Sequence, residues 1–496
     1  TPAACTTVPD GLGADGVRCG TVTVPLRYDH PTAGTVQVAV YVIRATAAPR
    51  RADALVITGG GPGDDLVTLA PVIAGPRSPL GRLSPDRDIV VYNQRGTAGG
   101  SPVLNCPEIA RAYARTDLTT EQQYAEIDAA DRTCAAGLRA AKIDTAAYGT
   151  VANAKDLEQV RRALGYSRLN LWGTSYGTRL ALEAMRQLGA GTLRTAILSS
   201  PVPTQITLTE QAAPAFQSRL DELYRSCNAD PACRDSHGNL RAAAARAVAR
   251  LAAKPQRRTV RLDGRDVSVW IDAPRLSGAV FSLMYSPAGT RLVAPLLSEV
   301  ASGSYDTLAA VLAAGQTVDR EGNAQAYGMQ RVVWCNDFVS QTTARRVAAA
   351  GAAVSPLAGR YFQLDAVNSG LFGPRAFGVC RHYGTRAHEM ASTRPVSSDI
   401  PALVQTGQFD PITPPEMGHL VDTTLTRAYV FTVPSFGHSA LLQLPDKCTA
   451  RIVNAFLARP RHRPDTSCAE DLVAAPVPAT TAEKNSLLAE LSRPAS

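Results

Sequence analysis

The chain has 496 residues, of which 45% are hydrophobic and 19% charged, and its formal net charge is +8 from 51 basic and 43 acidic side chains. That length exceeds one ordinary core and suits an enzyme domain with one large insertion. The basic residues are scattered rather than gathered in blocks, which argues against a nucleic-acid partner, and no run is apolar for long enough to predict a membrane span.

The chain begins Thr1-Pro2-Ala3-Ala4, with no charged and apolar leader, so the expectation is a secreted protein whose signal peptide has been removed. Ten cysteines are present, an even number, with no C-x-x-C pair to suggest zinc or thiol redox chemistry. Disulfides are the expected use. Neighbours in sequence order could close local loops, namely Cys5 with Cys19, Cys106 with Cys134, Cys227 with Cys233, Cys335 with Cys380, and Cys448 with Cys468; spacing alone does not settle that connectivity.

Thr21 to Ile43 alternates and predicts an antiparallel hairpin at the edge of a sheet. Short apolar runs then lead into glycine-rich turns: Leu55-Val56-Ile57 into Gly59 to Gly63, Ile89 to Tyr92 into Asn93-Gln94-Arg95-Gly96, and Leu169 to Trp172 into Gly173-Thr174-Ser175-Tyr176-Gly177. This rhythm predicts a mostly parallel sheet with helices between its strands. Residues 1–200 form the first part of that core. From 201 to 394 the reading is mainly helical, including the Ala/Arg-rich stretch Leu240 to Ala253, and this is the expected inserted lid. Residues 395–496 resume the core with Ala402-Leu403-Val404 and Tyr429-Val430-Phe431, and Val473 to Thr481 reads as a loose tail.

The Gly173 to Gly177 stretch fits G-x-S-x-G, in which flanking glycines allow a strained strand-to-helix turn that lifts a serine hydroxyl clear. An apolar strand precedes it, and Leu180, Ala184 and Leu188 follow at one-turn spacing, so the context is that of an α/β-hydrolase fold with its lid between the nucleophile and acid regions. A serine needs a base and a group that fixes the base's tautomer. On this fold the order is Ser, acid, His, which selects Ser175, Asp410 and His438; His419 is the rival base, nine residues beyond the acid and on an expected helix. The oxyanion needs two donors, expected from Tyr176 N–H and from Gly61 or Gly60. The Gly59 to Gly63 turn lacks the Gly-Lys-Ser/Thr ending of a phosphate loop, and no cofactor is called for.

Cys19-Gly20 with Val24-Pro25-Leu26, Gly60-Gly61-Pro62-Gly63, Gln94-Arg95-Gly96-Thr97, Leu171 to Thr178, Ser398 to Pro401, Gly407 to Pro414, and Gly437-His438 followed by Cys448 together resemble the secreted tripeptidyl aminopeptidase family. That family sits with the prolyl aminopeptidases among α/β-hydrolase serine peptidases, and the likeness spans nearly the whole chain. It implies a Ser175, Asp410, His438 triad under a lid, cleaving peptides near a free N-terminus to release di- or tripeptides. Three positions depart from the family: Asn93 in place of Asp before Gln-Arg-Gly, Gly59 in place of His before Gly-Gly-Pro-Gly, and Ser199-Ser200-Pro201 in place of an Asp-Gly stretch. The Asn93 departure removes a carboxylate that could pair with Arg95.

Recognition of a protonated α-amine calls for a carboxylate, and Asp64, Asp65, Glu210 and Asp337 are the candidates. The expected partner is a peptide or an ester, and the expected assembly a monomer. A carboxylesterase or lactone hydrolase using the same three residues is the alternative activity, and a binding protein on an inactive hydrolase scaffold is the alternative from another class.

Overall fold

The computed structural model describes residues 1–5, 7–8, 12–73, 82–83, 85–262, 264–315, 325–365, 370–384, 386–474, 477 and 481–491. Its strands are β1 (Pro2–Ala3), β2 (Val17–Pro25), β3 (Thr35–Ile43), β4 (Ala54–Thr58), β5 (Ile89–Tyr92), β6 (Leu169–Thr174), β7 (Leu193–Ser199), β8 (Gln256–Leu262), β9 (Arg265–Ile271), β10 (Ala402–Gly407) and β11 (Ala428–Val433). Nine of them form one sheet in the order β1-β2-β3-β5-β4-β6-β7-β10-β11. From β5 to β11 each neighbouring pair is parallel. The β2–β3 hairpin is antiparallel, and so are its pairings with β1 and β5.

Alternation along each strand supplies both faces of the sheet. Ala54 and Val56 pack into one apolar layer, Leu55 and Ile57 into the other, and all four are buried. A strand covered on both faces has no reason to carry polar residues, which is why these runs read as continuously apolar. The helices Thr150–Leu164 and Tyr176–Thr192 contribute Leu157, Val160, Leu180 and Ala184 to the first layer. The helix Asp446–Ala458 closes the second with Ile452, Val453 and Phe456. The chain steps from β4 to β5 on one side and then to β6 on the other. Loops leaving the carboxyl ends of β4 and β6 diverge there and open a crevice.

Residues between β7 and β10 add no strand to this sheet among the described residues. They are mainly helical, as expected, but include the antiparallel hairpin β8–β9, whose seven-residue register runs from Gln256 with Ile271 to Leu262 with Arg265. The hairpin escaped the sequence reading because its outward face is largely polar, with Arg257, Thr259 and Arg261 exposed opposite Trp270, Ser268 and Asp266, while Val269 and Ile271 are buried. The third apolar cluster also departs from the expected division at residue 200. It joins residues 202–383 to the helices Pro107–Tyr113 and Thr120–Ala140 of the preceding segment. A buried ion pair crosses this junction, Arg331 Nε donating to Asp131 Oδ1 at 3.0 Å with both side chains fully enclosed.

The five sequence-order cysteine pairs are bonded as disulfides. Cys106, Cys134 and Glu108 form the metal-like grouping found among the described residues, but the two sulfurs are bonded to each other and offer no thiolate. No helix among the described residues is long and apolar enough to cross a membrane. In the expected tail, residues 475–476 and 478–480 lie outside the described residues, and a helix spans Thr481–Leu491.

Candidate active site

Ser175 stands between the end of β6 and the helix Tyr176–Thr192, with φ 55° and ψ −124°. An L-residue held there costs about 1–3 kcal/mol, so the surroundings must impose it. They leave no room for side chains on either side. A Cβ on Gly173 would meet Gly177 O at 2.2 Å, and one on Gly177 would meet Gly59 O and Thr58 O at 2.7 Å. The strand and helix are thus pressed together at the turn, and Ser175 N–H donates to Ser199 O at 3.0 Å to tie it to β7. Tyr176 is the first helical residue, so its N–H has no acceptor within the helix. Its phenol lies 2.8 Å from Thr150 Oγ1.

Asp410 follows β10 and His438 follows β11, adjacent parallel strands whose ends bring the two loops together. A Cβ on Gly407 would stand 1.9 Å from Gly437 O, so the loops touch through backbone. His438 Nδ1 lies 2.9 Å from Asp410 Oδ2. The acid, an acceptor only, sets the tautomer, leaving Nε2 as the basic nitrogen. Asp410 is fully buried and also accepts Ile412 N–H at 3.1 Å and Thr413 N–H at 2.9 Å. Burial works against its charge, but the His438 charge and hydrogen bond, with the Thr413 donors, outweigh that and hold its pKa below the ordinary value.

Sequence reasoning missed three supports of this pair. Thr413 Oγ1 donates to Asp410 Oδ2 at 2.7 Å and lies 3.1 Å from His438 Nδ1. The available signal was a hydroxyl three residues after an Asp in Asp410-Pro411-Ile412-Thr413, an Asx-type turn. Tyr285, from the inserted segment, accepts His438 N–H on its carbonyl at 3.1 Å and sets its ring 4.8 Å from the imidazole. Ser200, at φ 58°, accepts Ser439 N–H on its hydroxyl at 2.8 Å, so one residue of the Ser199-Ser200-Pro201 stretch holds the loop that bears His438.

Ser175, Tyr176 and His438 line one pocket of about 360 Å³ together with Gly60, Gly61 and Asp64. Its remaining wall is largely aromatic and apolar and comes mainly from the inserted segment, with Tyr285, Tyr327, Trp334, Leu371 and Phe372, joined by Tyr113 and Ile412 from outside it. No hydrogen bond joins Ser175 to His438 among the described residues; such contacts are often long until substrate is bound. The glycine turn is fastened to the inserted segment: Ala326 N–H donates to Gly63 O at 2.9 Å, and Gln325 Nε2 donates to Pro62 O at 3.1 Å. His419 is exposed on the helix Pro415–Asp422 and lies outside this pocket.

The four carboxylates weighed for an amine diverge. Asp64 lines the pocket, where burial pushes its carboxyl up to about 6 against the opposing influence of the Gly60 amide and of His438. Asp65 points away, accepting Thr68 N–H at 3.1 Å and Asn93 Nδ2 at 2.7 Å. Glu210 is taken up by Arg346 at 3.0 Å and Thr342 Oγ1 at 2.7 Å. Asp337 sits beneath the Ser175 turn, fully buried, receiving both the N–H and the hydroxyl of Thr150 on Oδ2 while Oδ1 has no partner. Burial raises its pKa to about 6 despite the Thr150 hydrogen bonds and the nearby Arg179.

Arg95 does not wait on a carboxylate at position 93. It forms a fully buried bidentate pair with Asp156, at 2.8 and 2.6 Å, and donates to Pro25 O, Leu26 O and Ala147 O. Asn93 faces Asp65 instead and accepts Leu66 N–H and Val67 N–H at the start of the helix Leu66–Ile73. An amide suits that place because it can donate to the carboxylate.

The family described as alpha/beta hydrolase fold matches residues 53–445. Serine protease Hip1 of Mycobacterium tuberculosis (strain H37Rv) is 26% identical over 473 residues, covering 89% of this chain and 85% of its own. Carboxylesterase B of the same strain is 30% identical over 236 residues, covering 44% and 42%. Tripeptidyl aminopeptidase of Streptomyces lividans is 28% identical over 179 residues, covering 33% and 32%.

Proposed function

Because the chain belongs to the α/β-hydrolase fold family, we propose that it is a serine exopeptidase acting at free peptide N-termini through an acyl-enzyme. The observation that carries this reading is that Ser175 and His438, the latter held by Asp410, face one pocket. Ser175 Oγ attacks the scissile carbonyl as its proton passes to His438 Nε2, and the new C–O bond pushes the electron pair onto the carbonyl oxygen. Tyr176 N–H and an N–H of the glycine turn meet that oxyanion, and of the two turn residues weighed, Gly61 is the one whose amide is not already directed at Asp64. Collapse breaks the C–N bond, the departing amine takes the proton from His438, and water releases the acyl group by the same steps in reverse.

Several features support the finer reading. A protease-named relative aligns with most of the chain. The aromatic wall supplied by the inserted segment limits what can enter, as expected of a lid. Five disulfides support work in an oxidising compartment outside the cell. A carboxylesterase acting with the same residues is the second reading, favoured by the 30% identity to carboxylesterase B over part of the chain.

The test compares peptide anilides with a free amine, their N-acylated forms and simple neutral esters. Faster turnover with the free amine is expected, and preference for neutral esters overturns the peptidase reading. Labelling by a fluorophosphonate is expected to disappear in Ser175→Ala; labelling that persists there removes Ser175 as the nucleophile.

A further inference from the structure

The pocket around Ser175 contains one carboxylate and no Lys or Arg among the described residues that line it. That carboxylate belongs to Asp64, whose hydrogen-bond partners are uncharged: the Gly60 amide, and Gln325 Nε2, which stands 3.4 Å from Oδ1 and whose residue pairs with Asp64 in a backbone bridge. The titratable groups bearing on it are Asp65, which repels, and His438. A methyl built on Gly60 would stand 3.2 Å from Ser175 Cβ and 3.3 Å from Asp64 Oδ2, so those two atoms are at most 6.5 Å apart, the sum of the two contacts.

A carboxylate beside the glycine turn is at odds with acyl transfer. The same turn is the expected donor to an oxyanion, and a fixed negative charge nearby disfavours the charge that develops there. The conflict is removed if the substrate itself brings a cation to Asp64.

We propose that Asp64 receives the α-ammonium group of the residue whose carbonyl Ser175 attacks, so that the unit released is a single amino acid. The inference rests on the exopeptidase reading above and fixes its register. In an acyl-serine the α-nitrogen is two bonds from the acyl carbon, about 2.5 Å away. An ester linkage, that short step and a charge-assisted hydrogen bond of roughly 2.8 Å together span the distance between Ser175 and Asp64. The ammonium of a tripeptide lies two residues farther out, about 7 Å along an extended chain, and passes Asp64 by. A lysine side chain carries its charge several bonds beyond Cα and fits this short span less well.

The test uses the full chain and four anilides: alanyl, alanyl-alanyl-alanyl, N-acetylalanyl and N-acetyllysyl. Wild type is expected to prefer the alanyl substrate. In Asp64→Asn the ratio of kcat/KM for alanyl over N-acetylalanyl anilide is expected to fall about 10- to 100-fold, the value of a charge-assisted hydrogen bond. Stoichiometric fluorophosphonate labelling of the variant shows that it has folded; should it not fold, the wild-type substrate series decides alone. Preference for the tripeptidyl anilide with the N-acetyl forms inert overturns this inference and leaves the exopeptidase reading standing. Preference for N-acetyllysyl anilide overturns it by assigning Asp64 to a side-chain cation. An unchanged ratio in Asp64→Asn overturns it too, and preference for N-acetylalanyl over alanyl anilide ends both readings.

Discussion

Thr413 Oγ1 donates to Asp410 Oδ2 at 2.7 Å from only three residues along the chain, and the same oxygen lies 3.1 Å from His438 Nδ1. The hydroxyl therefore braces Asp410 against His438 from inside a wholly buried turn. Thr413→Val keeps the shape and removes that donor. Its kcat is expected to fall about 10-fold with little change in KM, as for loss of one hydrogen bond to a charged group, and Thr413→Ser is expected to restore most of it. Steady-state kinetics on a single anilide decides; equal rates for the Val and Ser variants would assign Thr413 to packing alone.

Asp410→Asn tests the tautomer. The amide can no longer act purely as an acceptor toward Nδ1, so the imidazole is free to turn its proton toward Ser175. A loss of roughly 10³–10⁴ in kcat is expected, with fluorophosphonate labelling slowed in parallel. A loss below tenfold would mean that another group orients His438.

Asn93 and Asp65 form a pair that can be examined by a double-mutant cycle. Asn93→Asp replaces the Nδ2 donor that reaches Asp65 Oδ1 at 2.7 Å and Ala98 O at 2.9 Å with a second buried carboxylate. The expected destabilisation is about 1–3 kcal/mol at neutral pH, from an unmet acceptor and like-charge repulsion. Adding Asp65→Asn is expected to recover much of it, since the pair is then reversed. Denaturant midpoints of the four proteins provide the measurement, and strict additivity would deny the coupling.

Asp337 makes stability depend on pH. Burial raises its carboxyl from 3.8 to about 6 in the folded chain. Below the unfolded value both states hold the proton and nothing is lost; as pH rises to the folded value, the native state is increasingly penalised for a charge it shields from water, and the penalty is complete above it. Asp337→Asn escapes this. Relative to wild type, its stability is expected to improve by on the order of 1–3 kcal/mol between pH 4 and pH 7.5, read from thermal midpoints at both values. A difference that shrinks as pH rises would reverse the sign and place Asp337 among the stabilising carboxylates.

What the chain determines locally was legible from the residues alone. Apolar runs such as Leu55-Val56-Ile57 announce strands buried on both faces because they are short, rich in β-branched residues and lead into glycine-rich turns. The glycines around Ser175 announce a tight turn because each would collide with backbone if it bore a side chain. The chain order of Ser175, Asp410 and His438 follows from strands that point the same way and deliver their loops to one end.

Contacts between distant segments were decided by the tertiary structure. Nothing in composition marks Glu210 as spoken for by Arg346, Asp337 as sealed beneath Tyr176, or Asp64 as the acid that faces the pocket. These outcomes depend on how the inserted segment settles over the carboxyl end of the sheet, and on helices near residues 107–140 joining its core. The role of an ionisable side chain is set by burial and by the charges placed around it, and both arise from packing between residues hundreds of positions apart.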